Sequence, residues 1–440
     1  MDQLTEAVRE GMERTRISDE GRQVDAAGKM PAVQGRDSEE QMEEMPSNGI
    51  SDEGLQLHAA GQNLPHEQEN QPRKQKKKKK HNNRKGRMAL RKIEMDRVKK
   101  SNNLEKPPTQ DKAAAYLAAW AKERESEPES ESSSDWNAYE ARLCRDSWNS
   151  SFAALARYGT YETITSIPPM RFTDHVYEYA GPRETLQIFS VKVVDTKEGI
   201  GWPLYVYGKL AVRDTVDHNH NIIFDRERDN CQTVTKKDPY LTLTGPSRAA
   251  VLSVHHSYIE AELKIKGSSS DSDDKDFSYL ANGYIQNGLS QSFTMKHVLS
   301  SRLSTLELTV GHIVNSVEAT INVEVSSGKW PYGHGGAFTV STASMDAMEI
   351  ILLSFGDDGL PLENDGKKIR LSRRVVGVEV DGKLNLFVKA LPPAGSNNDV
   401  LSDEQIFTPK EAGRSQLTLK VGSCEMKVTV AWSLLLTFDE

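Results

Sequence analysis

The stretch "SVEATINVEV" (316–325) sets the tightest limit on the fold. It alternates Val317, Ala319, Ile321, Val323 and Val325 with Glu318, Thr320, Asn322 and Glu324. Successive strand side chains point to opposite faces, so this period of two predicts a strand with one apolar and one wet side. "SYIEAELKIKG" (257–267) repeats the pattern through Ile259, Ala261, Leu263 and Ile265 against Tyr258, Glu260, Glu262 and Lys264. "TLELTV" and "EMKVTVAW" do so again, and turn-rich segments such as "KGSSSDSDDKD" and "PPAGSNND" separate the runs. Alternation without interleaved helices predicts antiparallel pairing. The expected fold is mainly β, an antiparallel β-sandwich-like C-terminal region. Its length admits either one large unit or two packed subdomains.

The N-terminal quarter obeys other rules. Residues 1–110 are polar, poor in aromatics and lack any sustained period, so they bury too little apolar surface to offset the entropy of ordering. They are expected to form a disordered tail. "ISDEGRQVDAAG" (17–28) and "ISDEGLQLHAAG" (50–61) agree at nine of twelve positions with a spacing of 33. Two copies without an apolar face cannot stack as a solenoid, and we read a duplicated piece of tail. Residues 111–160 predict a short helical and acidic segment, with Asp111 and Asp135 as caps of two helices. Trp136, Tyr139, Leu143, Phe152 and Leu155 fall near helical spacing there, a stripe expected to serve as core or as a docking surface against the following domain.

Charge is divided unevenly. The formal net charge is −8, yet residues 71–100 hold fifteen Lys/Arg against two acids. The basic run (73–100), and within it Lys76, Lys77, Lys78, Lys79, Lys80, Arg84, Lys85 and Arg87, predicts a nuclear-targeting or phosphate-binding segment. Residues 71–100 lack Phe, Tyr and Trp, so nucleic-acid binding there would be sequence-blind and salt-sensitive. The chain opens "MDQLTEAVREGMERTR", unlike a secretory signal. No apolar run reaches the length of a membrane span. The three cysteines are widely spaced, against a disulfide framework or zinc ribbon. The expected location is intracellular, nucleus or cytoplasm, with the nucleus favoured by the basic run.

The densest cluster of chemistry-bearing side chains lies in "AVRDTVDHNHNIIFDRERDNCQTV" (211–234). Asp217, Asn219 and Asn221 begin like a calcium loop, but Ile222 stands where the turn glycine is needed and Arg228 where the closing acid belongs. His218 and His220 have no second close His or Cys pair to complete a zinc site. A hairpin accounts for the segment: a strand through "LYVYGKLAVRD", Asx-rich turn residues and a return through "IIF", with Arg213, Arg226 and Arg228 as neighbours for the acids. "GKWPYGHGGAF" (328–338) lacks the ending of a phosphate loop, and the chain contains no G-x-S-x-G elbow to go with its His334-Gly335-Gly336. His255 and His256, read as strand neighbours, face opposite ways. The expectation is no catalytic residue, no metal, no cofactor and no small-molecule ligand.

The succession "TLQIFSVKVVD", "WPLYVYGKLAVRDTVDHNHNIIFDRERDNCQ", "DPYLTLTGPSRA", "EAELKIKG", "SSRLSTLELTVGHIVNSVEATI" and "LTLKVGSCEMKVTVAWSLL" resembles a β-rich plant domain of unknown function that is abundant in grasses. The resemblance runs from Phe172 to Leu436, so the domain is assigned to 172–436. Arg213, Asp214, Asp217, Asn221 and Asp229 match the family's polar hairpin, whose role is unknown, and His220 stands where many relatives carry Arg. Some relatives place this domain behind a ribosome-inactivating rRNA N-glycosidase domain, which implies a defence or translation-linked role for the fused proteins. The upstream residues here are too few for that domain and lack its Ser-Glu-Ala-x-Arg motif, so depurination is not expected.

The leading functional expectation is a non-catalytic β-sandwich interaction module, engaging a protein partner or a second copy of itself and carrying a basic address in its tail. The alternative is a nucleic-acid-associated protein that binds RNA or DNA non-specifically through the lysine run. An enzyme of unrecognised chemistry comes third.

Overall fold

A computed structural model describes residues 110–126 and 135–436, apart from 154, 156, 157, 269, 287, 289, 346, 347, 394, 397 and 398. The duplicated segment and the basic run lie outside the described residues.

Among the described residues strands dominate, with the named strands paired antiparallel in three sheets. The largest has seven strands: β1 (Arg183–Thr196), β5 (Ala250–Val251), β8 (Phe293–Ser301), β9 (Ser304–Ser327), β12 (Val375–Glu379), β15 (Ala412–Val421) and β16 (Cys424–Ser433). A five-stranded sheet holds β2 (Leu204–Arg213), β3 (His220–Arg226), β4 (Gln232–Val234), β6 (Ser257–Ile265) and β7 (Lys275–Tyr284). A four-stranded sheet holds β10 (Gly335–Thr342), β11 (Ile350–Phe355), β13 (Leu384–Leu391) and β14 (Leu401–Phe407).

β9 explains the arrangement. At 24 residues it is far longer than a typical strand of about five or six. Its first half pairs with β1 and β8, and its second half with β12 and β16. Leu306, Leu308 and Val310 enter a core shared with the five-stranded sheet. Val317, Ala319, Ile321 and Val323 enter a second core shared with the four-stranded sheet. Core positions thus change from even to odd, and β9 carries one extra residue between them: Thr185 opposes Ile313 while Arg183 opposes Ser316. Asn315 takes φ 45° at this point. An inserted residue shifts a strand's alternation by one, which is the change needed here. Two sandwiches are therefore fused along one continuous sheet.

The expectation of one wet side fails where other segments cover the sheet. Glu318 and Thr320 are buried on the polar side of β9, as is Glu260 on that of β6. Glu318 accepts from the backbone N–H of Met170 and of Ala249, tying two loops to the strand.

Among the described residues two α-helices precede the sheets, α1 (Gln110–Ser126) and α2 (Trp136–Trp148). Asp111 is the second residue of α1 rather than its cap. Asp135 does cap α2: its Oδ1 accepts from Ala138 N, and its Oδ2 accepts from Arg302 N in the turn after β8. α2 packs on β7 and β8 through Ala138 and Ala141, whose small side chains let helix and sheet approach closely. The expected apolar stripe therefore turns outward except at Phe152, which is half-buried against Trp148. Trp136 is 63% exposed, Tyr139 45%, Leu143 44% and Leu155 45%. The buried aromatic of α2 is Trp148 instead, packed with Tyr161 and Ala153.

Candidate functional site: a buried ionic hairpin

The β2–β3 hairpin forms as the sequence predicts, with residues 214–219 as its turn. It is not a wet tip. Asp214 is 1% exposed, Arg213 4%, His220 7% and Asn221 is fully buried. Burying charge without a partner costs several kcal/mol per ion, so each must find an opposite charge and hydrogen bonds. Both arginines at this corner do.

Arg213, at the end of β2, forks onto Glu260 of β6, with Nε 2.7 Å from Oε1 and Nη2 3.0 Å from Oε2. Nη1 donates to His218 O at 2.6 Å and Nη2 to Tyr161 O at 2.9 Å. The guanidinium carbon lies 4.1 Å from the centre of the Tyr161 ring and 5.2 Å from that of Trp148. Trp148 Nε1 also donates to His218 O, while the His218 ring stacks on Phe152 at 4.2 Å. α2 thereby roofs the Arg213 pair.

Arg248 forms the second pair. Its Nη1 and Nη2 reach Asp214 Oδ2 and Oδ1 at 2.6 and 2.8 Å, and Nη2 reaches Asp217 Oδ1 at 3.1 Å. Asp214 also accepts from Val216 N and Val251 N, and Asp217 from the Thr165 hydroxyl. Asn221 fastens the neighbouring loop, accepting from Ser247 N and donating to Arg248 O. Arg213, Asp214, Asp217 and Asn221 are thus brought together, each with charged or hydrogen-bonding partners. Asp229 is apart, in a loose surface pair 3.5 Å from Lys266.

The partners differ from those expected. Arg226 and Arg228 do not serve the corner acids; Arg228 pairs with Asp274 and Asp271. The residues that neutralise the hairpin are Glu260 and Arg248, 47 and 34 positions from Arg213 and Asp214. His255 and His256 sit on a bend before β6, not on a strand.

The electrostatics oppose acid–base and nucleophilic chemistry here. Burial disfavours the Glu260 carboxylate, but the Arg213 charge and hydrogen bonds from His220 and Arg213 outweigh it and hold the carboxyl well below its ordinary range. Such a group is a poor proton acceptor at neutral pH. Burial lowers His220, and Arg213 adds to this against its hydrogen bond to Glu260. The Cys144 thiol lies 3.7 Å from Glu260 Oε1, and burial followed by the Glu260 charge pushes its pKa far up, away from the thiolate a nucleophile needs. Beside Arg248 and Glu318 the cavity measures about 20 Å³, room for one water. Among the described residues no group of three or more His, Cys, Asp or Glu is arranged to hold a metal, and no helix is long and apolar enough to cross a membrane.

Fold and corner together define a double β-sandwich protein with a buried ionic hairpin beneath a helix. The chain belongs to the family described as Domain of unknown function (DUF6598), which matches residues 185–430. The resemblance seen in the sequence therefore holds at the level of a β-rich domain of unknown function. No curated protein matches the chain. Solved structures similar to it include human GIVD cytosolic phospholipase A2, 9% identical over 58% of this chain and 33% of that one, with a TM-score of 0.19. The paired C2 domains of Extended-Synaptotagmin 2 are 8% identical over 62% of this chain and 98% of that one, with a TM-score of 0.20. The match thus spans about a third of the phospholipase chain.

Proposed function

We propose that the protein is a non-catalytic interaction module of plant, specifically grass, origin. In this reading the α2 face engages a protein partner or a second copy. One observation carries it: the densest set of reactive side chains is spent on neutralising itself beneath α2, while α2 turns Trp136, Tyr139 and Leu143 outward at helical spacing. Trp136 and Tyr139 rings sit 5.6 Å apart, a ready aromatic anchor, and buried Trp and Tyr dominate the energetics of protein interfaces. Trp136→Ser/Tyr139→Ser/Leu143→Ser tests this by sedimentation and by capture with the full chain as bait. Loss of self-association, or of partners that the parent chain retains, is the expected result. An unchanged oligomeric state together with an unchanged set of captured proteins would overturn it.

A second reading follows from the fifteen cations in residues 71–100. That density supports nuclear import or non-specific phosphate-backbone binding, and import accords with the intracellular expectation. Replacing Lys76 to Lys80 by Ala should flatten the salt dependence of RNA binding and shift the protein out of the nucleus. If neither changes, the tail has neither role. The defence or translation link of glycosidase-fused relatives bears on this chain by analogy only.

A further inference from the structure

Among the described residues three arginines are buried, Arg213, Arg248 and Arg373, and only the first two meet a carboxylate. Arg373, 3% exposed, donates from Nε to Gly245 O at 2.7 Å and from Nη2 to Ile188 O at 2.6 Å. Both acceptors are backbone carbonyls, and Ile188 stands at a β1 irregularity where the ladder to β9 shifts register. The side chain thus ties a loop carbonyl to a β1 carbonyl, but no carboxylate among the described residues pairs with it. Burial alone acts on its ionisation and pushes its pKa down to about 10.

The segments around this cation line a cleft of about 230 Å³. Ser372 and Arg374 flank Arg373 in the chain, and Thr244 and Pro246 flank the carbonyl it holds. Ser247, Lys368 and Asn322 add to the polar lining, and Glu363 is its one carboxylate among the described residues. Lys368 and Arg374 are exposed and make no ion pair within 4.0 Å among the described residues, although the Lys368 charge helps hold the nearby Asp365 carboxyl below its ordinary range. Two exposed cations, the buried Arg373 next to them in the chain, and hydroxyl and amide groups on Thr244, Ser372 and Asn322 therefore stand around the cleft against two acids, Glu363 in its lining and Asp365 beside Lys368. A phosphate group, with several acceptor oxygens and up to two charges, suits such a donor set. The cleft is smaller than the roughly 300–1,000 Å³ of sites for drug-sized ligands, which limits the guest to a small one.

We propose that this cleft is an anion site for a small phosphate-bearing ligand, held by Lys368 and Arg374 with Arg373 behind them. The site goes beyond the interaction reading and stands or falls without it, since it lies on residues that reading does not use. Thermal unfolding of the full chain tests it in inorganic phosphate, in glucose 6-phosphate and in chloride at matched ionic strength. A ligand bound only by the folded state should raise the midpoint by about 2–4 °C at roughly tenfold excess over its dissociation constant. We expect that rise with phosphate, with the sugar phosphate or with both, which separates the two sources. It should vanish in Lys368→Ala/Arg374→Ala, two exposed positions whose loss leaves the cores intact. It should persist in Lys237→Ala/Lys389→Ala, two exposed lysines that do not line the cleft. No rise over chloride, an undiminished rise in the cleft variant, or an equal loss in the control variant would overturn the proposal.

Discussion

At the scale of single residues, His220 Nε2 is held between two groups: Arg213 Nη2 lies 2.5 Å away and Glu260 Oε2 2.7 Å. A neutral ring nitrogen either accepts from the first or donates to the second. Either way Nδ1 is buried without a partner, so the imidazole is the least satisfied member of the corner and Glu260 the most committed. Glu260 titrates near 4.5 when unfolded and well below that when folded. Its stabilisation is therefore complete above about 4.5 and fades as the pH falls toward the folded value. Glu260→Gln should cost about 3–5 kcal/mol at pH 7, because it leaves Arg213 buried without a counter-charge. In urea titrations the gap to the parent chain should narrow between about pH 5 and about pH 3, since other depressed carboxyls cancel in the difference. A gap constant with pH would count against the pair. The hairpin's own members, Arg213, Asp214, Asp217 and Asn221, were legible from their crowding in one short segment. Glu260 was not, since on an alternating strand it looks like any wet-face acid, and Arg248 hides in a Gly-Pro-Ser-Arg turn. Sheet register sets these pairings, with Arg213 facing Tyr258 and Ala211 facing Glu260, and sequence spacing does not encode it.

At the scale of elements, β2 runs between β3 and β6 with both ladders closed. Gly208 takes φ 111° in its middle, and a Cβ there would lie 2.3 Å from Glu262 O on β6. Both partners are backbone, so no side-chain rotation relieves the contact. Gly208→Ala should therefore destabilise the chain by about 1–3 kcal/mol, on the scale of an overpacked core site, measured by the urea midpoint at unchanged m-value. A neutral effect would mean that β2 and β6 are further apart than described. Strands were the most legible elements, because a period of two with turn signals on either side leaves few alternatives. The helix was legible in its cap and not in its face. Aromatic spacing pointed to Trp136, Tyr139 and Leu143 as the packed side, whereas the face buried against the sheet carries Ala138 and Ala141.

At the scale of the whole molecule, one strand belongs to both sandwiches, so neither core closes without β9. Loosening one should loosen the other. Leu308→Ala, a cavity in the first core worth about 2–5 kcal/mol, should speed hydrogen exchange in β6 and in β13 alike, although β13 belongs to the second core. Acceleration confined to the first core would show two independent subdomains. The sequence left one unit and two subdomains both open, and the parity change at Asn315 that joins the two cores on one strand is invisible without the register of β1. The phosphate cleft was equally out of reach, assembled from segments more than a hundred positions apart. The hairpin corner acts as a structural ionic layer, and a double-mutant cycle on Arg213→Met and Glu260→Leu by urea unfolding at pH 7 tests this most directly. Each single variant should lose about 3–5 kcal/mol, and the double variant should fall short of their sum by about 1–3 kcal/mol. Strictly additive losses, or a single variant as stable as the parent, would contradict it.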